Sequence, residues 1–223
     1  MHSWDFLAWI GAAISWWGTA RYIVGIVRGN TQPRLASWIA WAAANGVLTG
    51  VALINHNDTA ALFNGLAALG NVSVLVLSGI KRVGERPDGV TDRTCLAMAG
   101  ACLVTIGIFP HLVYLDALLA MCANVIATWP TIQHAWLRPQ EETWQLFAAN
   151  GGANILGLVS VLSASGMGIG NIAGPFISGL GNVALVSITV GRNWLIRTAE
   201  EIDEDVQLLE ERLKEGTTSA ETE

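Results

Sequence analysis

The feature that most limits how this chain can fold is a series of seven long apolar stretches separated by short polar segments. A helix needs about 20 mostly apolar residues to cross the hydrocarbon core of a bilayer. Each stretch approaches that length and therefore predicts a membrane-spanning helix. The predicted spans are Trp4–Val27, Leu35–Ile54, Thr59–Ile80, Thr94–Phe109, Leu112–Leu137, Trp144–Ser163 and Ile169–Leu195.

The amino-acid composition is also that of a membrane protein. Of the 223 residues, 52% are hydrophobic and 13% are charged, whereas about a quarter of the residues of a soluble domain are charged. Ten of the eighteen acidic residues follow Thr198, so the net charge of −6 arises mainly in the tail. The chain has no basic stripe, which excludes a nucleic-acid partner. Its three cysteines lie in apolar stretches and are interpreted as reduced packing residues.

The distribution of basic residues predicts the orientation of the chain. Lys and Arg cluster near the ends of the first, third, fifth and seventh spans, whereas the other connections hold none. Cytoplasmic loops of membrane proteins carry the excess of Lys and Arg. We therefore expect a multi-pass protein of the cell membrane, with its N-terminus outside and its C-terminus in the cytoplasm.

Two short sequences occur once in each half of the chain. Leu69-Gly70-Asn71-Val72 in the third span recurs as Leu180-Gly181-Asn182-Val183 in the seventh. Asn45 in the second span matches Asn150 in the sixth when Ala-Ala-Asn-Gly is aligned, and it matches Asn154 when the register shifts by one turn. Both registers remain open. Asn150 and Asn154 are i, i+4 neighbours and share one helix face.

The number of spans explains how two copies of the repeat can be parallel. Three spans reverse the direction of the chain, so one further span is needed before the second copy. The sequence therefore predicts an all-α membrane protein with seven transmembrane helices, arranged as 3+1+3 parallel triple-helix repeats. The segments are residues 1–82 (first repeat), 83–111 (inverter linker helix), 112–197 (second repeat) and 198–223 (acidic cytoplasmic tail with a short amphipathic helix).

The fifth span ends in a motif that has a counterpart in a known family. Trp129-Pro130-Thr131-Ile132-Gln133 resembles the Pro-Gln helix end of the SWEET and PQ-loop family of membrane transporters. Arg28-Gly29-Asn30-Thr31-Gln32, after the first span, is similar to the family's basic loop. The short polar loop that holds Glu142 is similar to that of the single-repeat bacterial members.

This resemblance implies a SWEET-like transporter that moves a small neutral polar solute, with a sugar as one candidate, by alternating access through a central pocket. It also implies that Asn71 and Asn182 match the paired asparagines of the family's sugar pocket, and that Asn45 lies near a pocket position. Pro130 corresponds to one of the family's gating prolines. In the first span, Gly25 stands in the region where the family has another.

The asparagines at membrane depth have two interpretations from the residues themselves. A buried amide is unfavourable without a hydrogen-bond partner, so each asparagine either joins neighbouring helices or binds a solute. The repeated pair Asn71 and Asn182 favours a shared substrate site, because both stand at the same depth. The other candidate binding residues are Asn45, Asn150, Asn154 and, as an apolar wall, Trp41.

The sequence predicts no enzyme, cofactor or metal site, because it has no nucleophile with a nearby base and no metal-ligand spacing. Asp116 is expected at the outer interface, and proton coupling through it is the alternative. The expected partners are a small-molecule substrate and the lipid bilayer, and a homo-oligomer remains open. The alternative function is that of a non-transporting PQ-loop-like membrane receptor or assembly protein.

Cysteine labelling tests the predicted orientation. In a cysteine-free background, Asn57→Cys and Ser165→Cys should react with a membrane-impermeant thiol reagent added to intact cells, because both positions lie in predicted outer loops. Gly84→Cys should react only after the cells are opened. If Gly84→Cys alone were labelled in intact cells, the orientation of the chain would be the opposite of the predicted one.

Overall fold

The computed structural model describes residues 5–109, 111–163 and 169–220. Within these ranges the chain is helical and contains no β-strand, which confirms the all-α prediction. The same ranges hold seven α-helices and a short 3-10 helix at Pro139–Glu141. The α-helices are α1 (Asp5–Arg28), α2 (Leu35–Ile54), α3 (Asp58–Lys81), α4 (Val90–Ile108), α5 (Val113–Leu137), α6 (Trp144–Ser163) and α7 (Ile169–Ala220).

Four helices of the described ranges are long and apolar enough to cross a membrane, namely α2, α3, α4 and the part of α5 at Tyr114–Leu137. The predicted spans at α1, α6 and α7 are not among these four. Large apolar side chains are exposed along the bundle, with Leu69 57%, Ile80 72% and Leu180 56% exposed. Soluble proteins rarely leave large apolar faces uncovered, so these features are those of a membrane protein.

Six helices form a closed ring in the order α1, α6, α7, α5, α2 and α3, in which each helix packs against the next. Among the described residues, helices on opposite sides of the ring, such as α3 and α7, have no Cα atoms within 8 Å of each other. α4 lies outside the ring and packs against α2 and α5. The ring therefore surrounds an axis that runs along the bundle.

One buried apolar cluster takes at least one side chain from every helix of the ring, and we call it the apolar plug. It fills the axis near the end of the bundle where α1 finishes and α2 begins. The rings of Tyr22 and Trp38 meet there with centroids 4.8 Å apart. The members of the apolar plug are Tyr22, Ile26, Trp38, Val74, Ala135, Leu146, Phe147 and Leu185.

The start of α4 differs from the prediction. The sequence places it at Thr94, because the charges of Asp92 and Arg93 read as part of a loop, but the helix begins at Val90. Asp92 caps its first turn: the Oδ2 atom accepts the backbone N–H groups of Asp88 at 3.1 Å and of Gly89 at 3.4 Å. A carboxylate is favourable at a helix N-terminus because it satisfies otherwise unpaired N–H groups.

The helix of the acidic tail is longer than the short amphipathic helix predicted for it. Residues beyond 198 continue α7 without a break as far as Ala220. At about 1.5 Å per residue, the 52 residues of α7 extend well past the roughly 30 Å of a hydrocarbon core. Every side chain from Ala199 to Leu209 is exposed, so this part of α7 projects beyond the bundle.

Candidate functional site

Asn71 on α3 and Asn182 on α7 lie on the inner face of the ring. Each follows an exposed leucine, Leu69 or Leu180, by two positions, and two positions are about 200° apart around a helix. The leucines face away from the bundle, so the asparagines point toward its interior, where both are half-buried. Because α3 and α7 stand on opposite sides of the ring, the pair faces the central axis from two directions.

The two amides differ in their hydrogen bonds. Asn182 Nδ2 donates to the backbone carbonyl of Ser178, one turn earlier, at 2.8 Å. The Asn71 side chain has no hydrogen-bond partner among the described residues. An amide carries two N–H donors and an oxygen that accepts. Both side chains therefore keep groups that can bind a solute or water on the axis.

Asn45 and Asn154 make the same contact within their own helices. Asn45 Nδ2 donates to the Trp41 carbonyl at 2.9 Å, and Asn154 Nδ2 donates to the Asn150 carbonyl at 2.8 Å. Both bonds run from position i to position i−4 of the helix. This match favours the register in which Asn45 corresponds to Asn154 and Trp41 corresponds to Asn150.

Trp41 and Asn150 supply the polar contacts between neighbouring helices. Trp41 Nε1 donates to the Asn124 carbonyl of α5 at 3.4 Å. Ser15 Oγ of α1 donates to Asn150 Oδ1 at 2.6 Å. The Trp41 ring also packs edge-on against Trp38, with ring centroids 5.5 Å apart, so Trp41 is engaged in helix packing, whereas the Asn150 Nδ2 group keeps its donors.

The contact between α6 and α7 brings two of the candidates close together. Asn182 Cβ lies 3.7 Å from the position that a Cβ on Gly151 would occupy, and Asn154 Cβ lies 3.6 Å from the corresponding position of Gly179. Glycine at these two places lets the helices approach at the level of the asparagines. The candidates on the other side of the ring are Asn45, Trp41 and Asn71.

A groove of about 500 Å³ lies elsewhere, between α2 and α3. Its wall is mostly apolar and includes the exposed side chains Leu53 and Leu69. Leu69 is on the opposite face of α3 from Asn71, whereas Thr49, another lining residue, donates to the Asn45 carbonyl one turn earlier on α2. The groove therefore shares the face of α2 that carries Asn45.

The two predicted gating residues lie in unbroken helices. α1 continues through Gly25, and α5 continues through Pro130, which is buried. A Cβ at Gly25 would collide with the Thr31 hydroxyl and lie 3.0 Å from that of Thr143. These two hydroxyls are hydrogen-bonded to each other at 2.7 Å. Gly25 is thus required for a close contact between loops, and the gating role of both residues stays a prediction.

An ionic network joins three loops at the plugged end of the bundle. Arg34 pairs with Glu85 and, at 2.8 Å, with Asp92. Glu85 in turn pairs with Arg138 at 3.2 Å and approaches His134 Nδ1 at 3.4 Å. We call this region the loop cluster, and it comprises residues 29–34, 82–89 and 138–143.

Asp92 is the most deeply buried charge of the network, with 1% of its surface exposed. Its Oδ2 atom accepts from Arg34 Nη2, whereas its Oδ1 atom has no partner among the described residues. Burial opposes the charge on Arg34, but Glu85 and Asp92 outweigh that effect and raise the pKa of the guanidinium above its ordinary value. A buried carboxylate without a partner is strongly destabilising, so Arg34 is needed to keep Asp92 in place.

Further contacts of the loop cluster connect α1 and its loop to the connection between α5 and α6. Tyr22 OH donates to Glu142 Oε2 at 3.3 Å, and the Gln32 N–H donates to the Glu141 carbonyl at 3.1 Å. The bonded hydroxyls beside Gly25 form a third link. Polar groups therefore close this end of the ring, on the side of the apolar plug that faces the loops.

Asp116 is completely buried, and neither carboxyl oxygen has a hydrogen-bond partner among the described residues. Asp116 lies in the first turn of α5, and its expected depth at the outer interface of the bilayer stays a prediction. Asp116 shares one face of α5 with Ala120 and Ala123, four and seven positions later. That face packs against α2 and α4, so the carboxyl group is directed away from the ring axis.

No family model, no curated protein and no solved structure matches this chain. The part of the chain that the structure describes holds no group of three or more His, Cys, Asp or Glu side chains able to bind a metal ion.

Replacing Arg34 tests the importance of the buried ion pair. Arg34→Gln leaves Asp92 buried and unpaired, so we expect a loss of about 3–5 kcal/mol in the free energy of unfolding, seen as a lower melting temperature of the purified protein. Arg93→Gln is the matched control, because Arg93 is exposed beside Asp92. Asp92→Asn added to Arg34→Gln should restore part of the loss. Equal effects of Arg34→Gln and Arg93→Gln would contradict the assignment.

Proposed function

We propose that this chain is a SWEET-like transporter that carries a small neutral polar solute, with a sugar as the first candidate, by alternating access. The observation that carries the proposal is the pair Asn71 and Asn182, which face the ring axis from opposite sides and keep hydrogen-bonding groups free. Amide groups donate and accept hydrogen bonds, as hydroxyl groups do, and they bear no charge. This chemistry favours a neutral polar solute.

Matching contacts support a 3+1+3 arrangement of two parallel repeats. Gly70 of α3 lies against Thr19 of α1, and Gly181 of α7 lies against Thr128 of α5. The nearest threonine atom is 3.4 Å from the glycine's Cβ position in both cases. Both threonines donate to their own backbone one turn earlier. The packing of α1 on α6 matches that of α5 on α2, and α4 lies outside the ring, as a linker helix would.

We further propose that all seven helices span the membrane. α1, α6 and α7 belong to the same closed ring as α2, α3 and α5, and those three are apolar enough to span. The basic residues that follow α1, α3 and α5 then lie on one side of the bilayer together with the loop cluster. By the positive-inside rule this side is the cytoplasm, which favours an outer N-terminus and a cytoplasmic C-terminus in the cell membrane.

The apolar plug supports a closed cytoplasmic end. Val74 and Leu185 of the plug follow Asn71 and Asn182 by three residues, about one helical turn toward the loop cluster. A solute held by the asparagines would thus be separated from the cytoplasm by the plug and the loop cluster. Rocking of one repeat against the other would open this end in the second state of the cycle.

A membrane receptor or assembly protein is the second candidate, and one observation favours it. The part of α7 beyond the bundle exposes Ile202, Val206 and Leu209, which follow helical spacing along one face. A partner helix could cover this face without any solute passing through the ring. Solute flux in reconstituted vesicles distinguishes the two functions, since a receptor would bind without transport.

Alanine at each paired asparagine tests the transport site. A thermal-shift screen against sugars, amino acids and nucleosides first identifies a stabilising solute. Asn71→Ala and Asn182→Ala should each remove about 1–3 kcal/mol of binding free energy, because polar groups of the solute lose their partners. This corresponds to roughly a ten- to hundredfold weaker affinity, measured by the solute-induced shift and by counterflow in proteoliposomes.

The control is Ser73→Ala on the same helix, because the Ser73 hydroxyl already bonds its own backbone at 2.8 Å. It should leave both affinity and flux unchanged. If the asparagines only join helices, their replacement would lower the melting temperature without solute and leave the solute-induced shift intact. That result would show that Asn71 and Asn182 are not solute-binding residues.

A further inference from the structure

We propose that Glu142 is a proton-binding site whose occupancy stabilises the closed form of the loop cluster, so that protons and the opening of this end are linked. The inference rests on the proposed transport function, because it assumes that the two repeats separate at the loop cluster. The ligand is the proton itself. It leaves the neutral carboxyl group for water when the end opens and returns when the end closes.

The surroundings of Glu142 are those of a neutral carboxyl group. The residue is 6% exposed and lies between the 3-10 helix and α6. Its Oε2 atom accepts from Tyr22 OH at 3.3 Å, and its Oε1 atom has no hydrogen-bond partner among the described residues. One neutral donor does not replace the water that a full negative charge loses on burial. The protonated form is therefore favoured in this state.

The negatively charged neighbours of Glu142 also favour its protonated form. Burial raises the pKa of Glu142 to about 8, and the charges of Glu141 and Glu85 add to the effect, while the hydrogen bond from Tyr22 lowers it. Tyr22 faces the carboxyl group from α1, Glu85 from the loop after α3, and Glu141 from the 3-10 helix. The nearby bases contact these acids instead: Arg34 and Arg138 pair with Glu85, and His134 of α5 lies 3.4 Å from Glu85 and 3.5 Å from Glu141.

The proton site spans the two proposed repeats. Tyr22 belongs to α1 and Glu142 to the connection before α6, so separation of the repeats would remove the Tyr22 contact and admit water. A hydrated Glu142 returns to its ordinary carboxyl pKa of 4.5 and releases its proton at neutral pH. By linkage, a proton that leaves on opening must stabilise the closed form. If Thr19 corresponds to Thr128, as their contacts with Gly70 and Gly181 indicate, then Thr131 corresponds to Tyr22, and the described residues hold no second copy of this tyrosine–carboxyl contact.

The raised pKa of Glu142 also determines in which direction the free energy of unfolding changes with pH. Between the ordinary value of 4.5 and about 8, the folded chain holds a proton that the unfolded chain has released. The free energy of unfolding therefore falls as the pH rises through this interval and levels off above it. Glu142→Gln, which is neutral at every pH, should remove that part of the pH dependence.

Infrared difference spectra test the proton site directly, with the full chain in detergent. The spectrum of the wild type minus that of Glu142→Gln should show a protonated-carboxyl band at neutral pH that disappears with a midpoint near 8. Tyr22→Phe should move the midpoint upward, because it removes the donor that favours the charged form. Asp116→Asn is the control for another buried carboxyl group and should leave the midpoint unchanged. A band that titrates near the ordinary carboxyl value would overturn the proposal.

Spin labels at Arg28→Cys and Gln140→Cys, in a cysteine-free background, test the link to opening. Both positions are exposed, one at the end of α1 and one on the 3-10 helix. A longer distance should gain population between about pH 6 and about pH 9.5 in the otherwise wild-type protein and not in Glu142→Gln. The same pH response in both would overturn the link. Loss of all solute flux with an intact titration would instead defeat the transport function and leave the proton site standing.

Discussion

The requirement that a buried carboxylate keep its partner governs the closed end of the bundle. Asp92 lies in the first turn of α4, Arg34 directly precedes α2, and their ion pair joins the outer helix to the ring. Glu85 extends the network from Arg34 to Arg138 at the end of α5. Exposed ion pairs contribute little, but loss of one partner of a buried pair costs about 3–5 kcal/mol. The network therefore connects the loop after α1, the loop after α3 and the end of α5 beside the apolar plug.

The candidate asparagines differ in the hydrogen bonds that their side chains already make. Asn45, Asn154 and Asn182 each donate to their own helix one turn earlier, and Asn150 also accepts from Ser15 of α1. The three bonds within a helix satisfy part of each amide in an apolar setting, whereas the bond from Ser15 joins α1 to α6. Asn71 makes no such bond within the described residues, so on the ring axis it is the amide with the most capacity to bind a solute.

Local pattern in the sequence predicted most of the helices. The bounds of α2 and α6 agree with the predicted spans, because apolar content and flanking polar residues mark both ends. The start of α4 was wrong because Asp92 is neutralised by Arg34, which is 58 positions away. The loop cluster was missed because its ion pairs also join residues that are far apart in the sequence. The acids beside bases in the predicted cytoplasmic loops were a signal of it. The alignment of Asn45 with Asn154, in place of Asn150, rests on the hydrogen bonds that Asn45 and Asn154 make, and the sequence alone does not contain those bonds.

Water access to the ring axis is the property that most directly tests this account. In a cysteine-free background, Asn71→Cys and Asn182→Cys should react with a small water-soluble thiol reagent, and the bound solute should slow both reactions. Leu69→Cys and Leu180→Cys, on the opposite faces of the same helices, should remain unreactive in the bilayer. We expect this alternation on both helices. Equal reactivity on the two faces, or reaction at the leucine positions alone, would contradict a polar pathway through the ring.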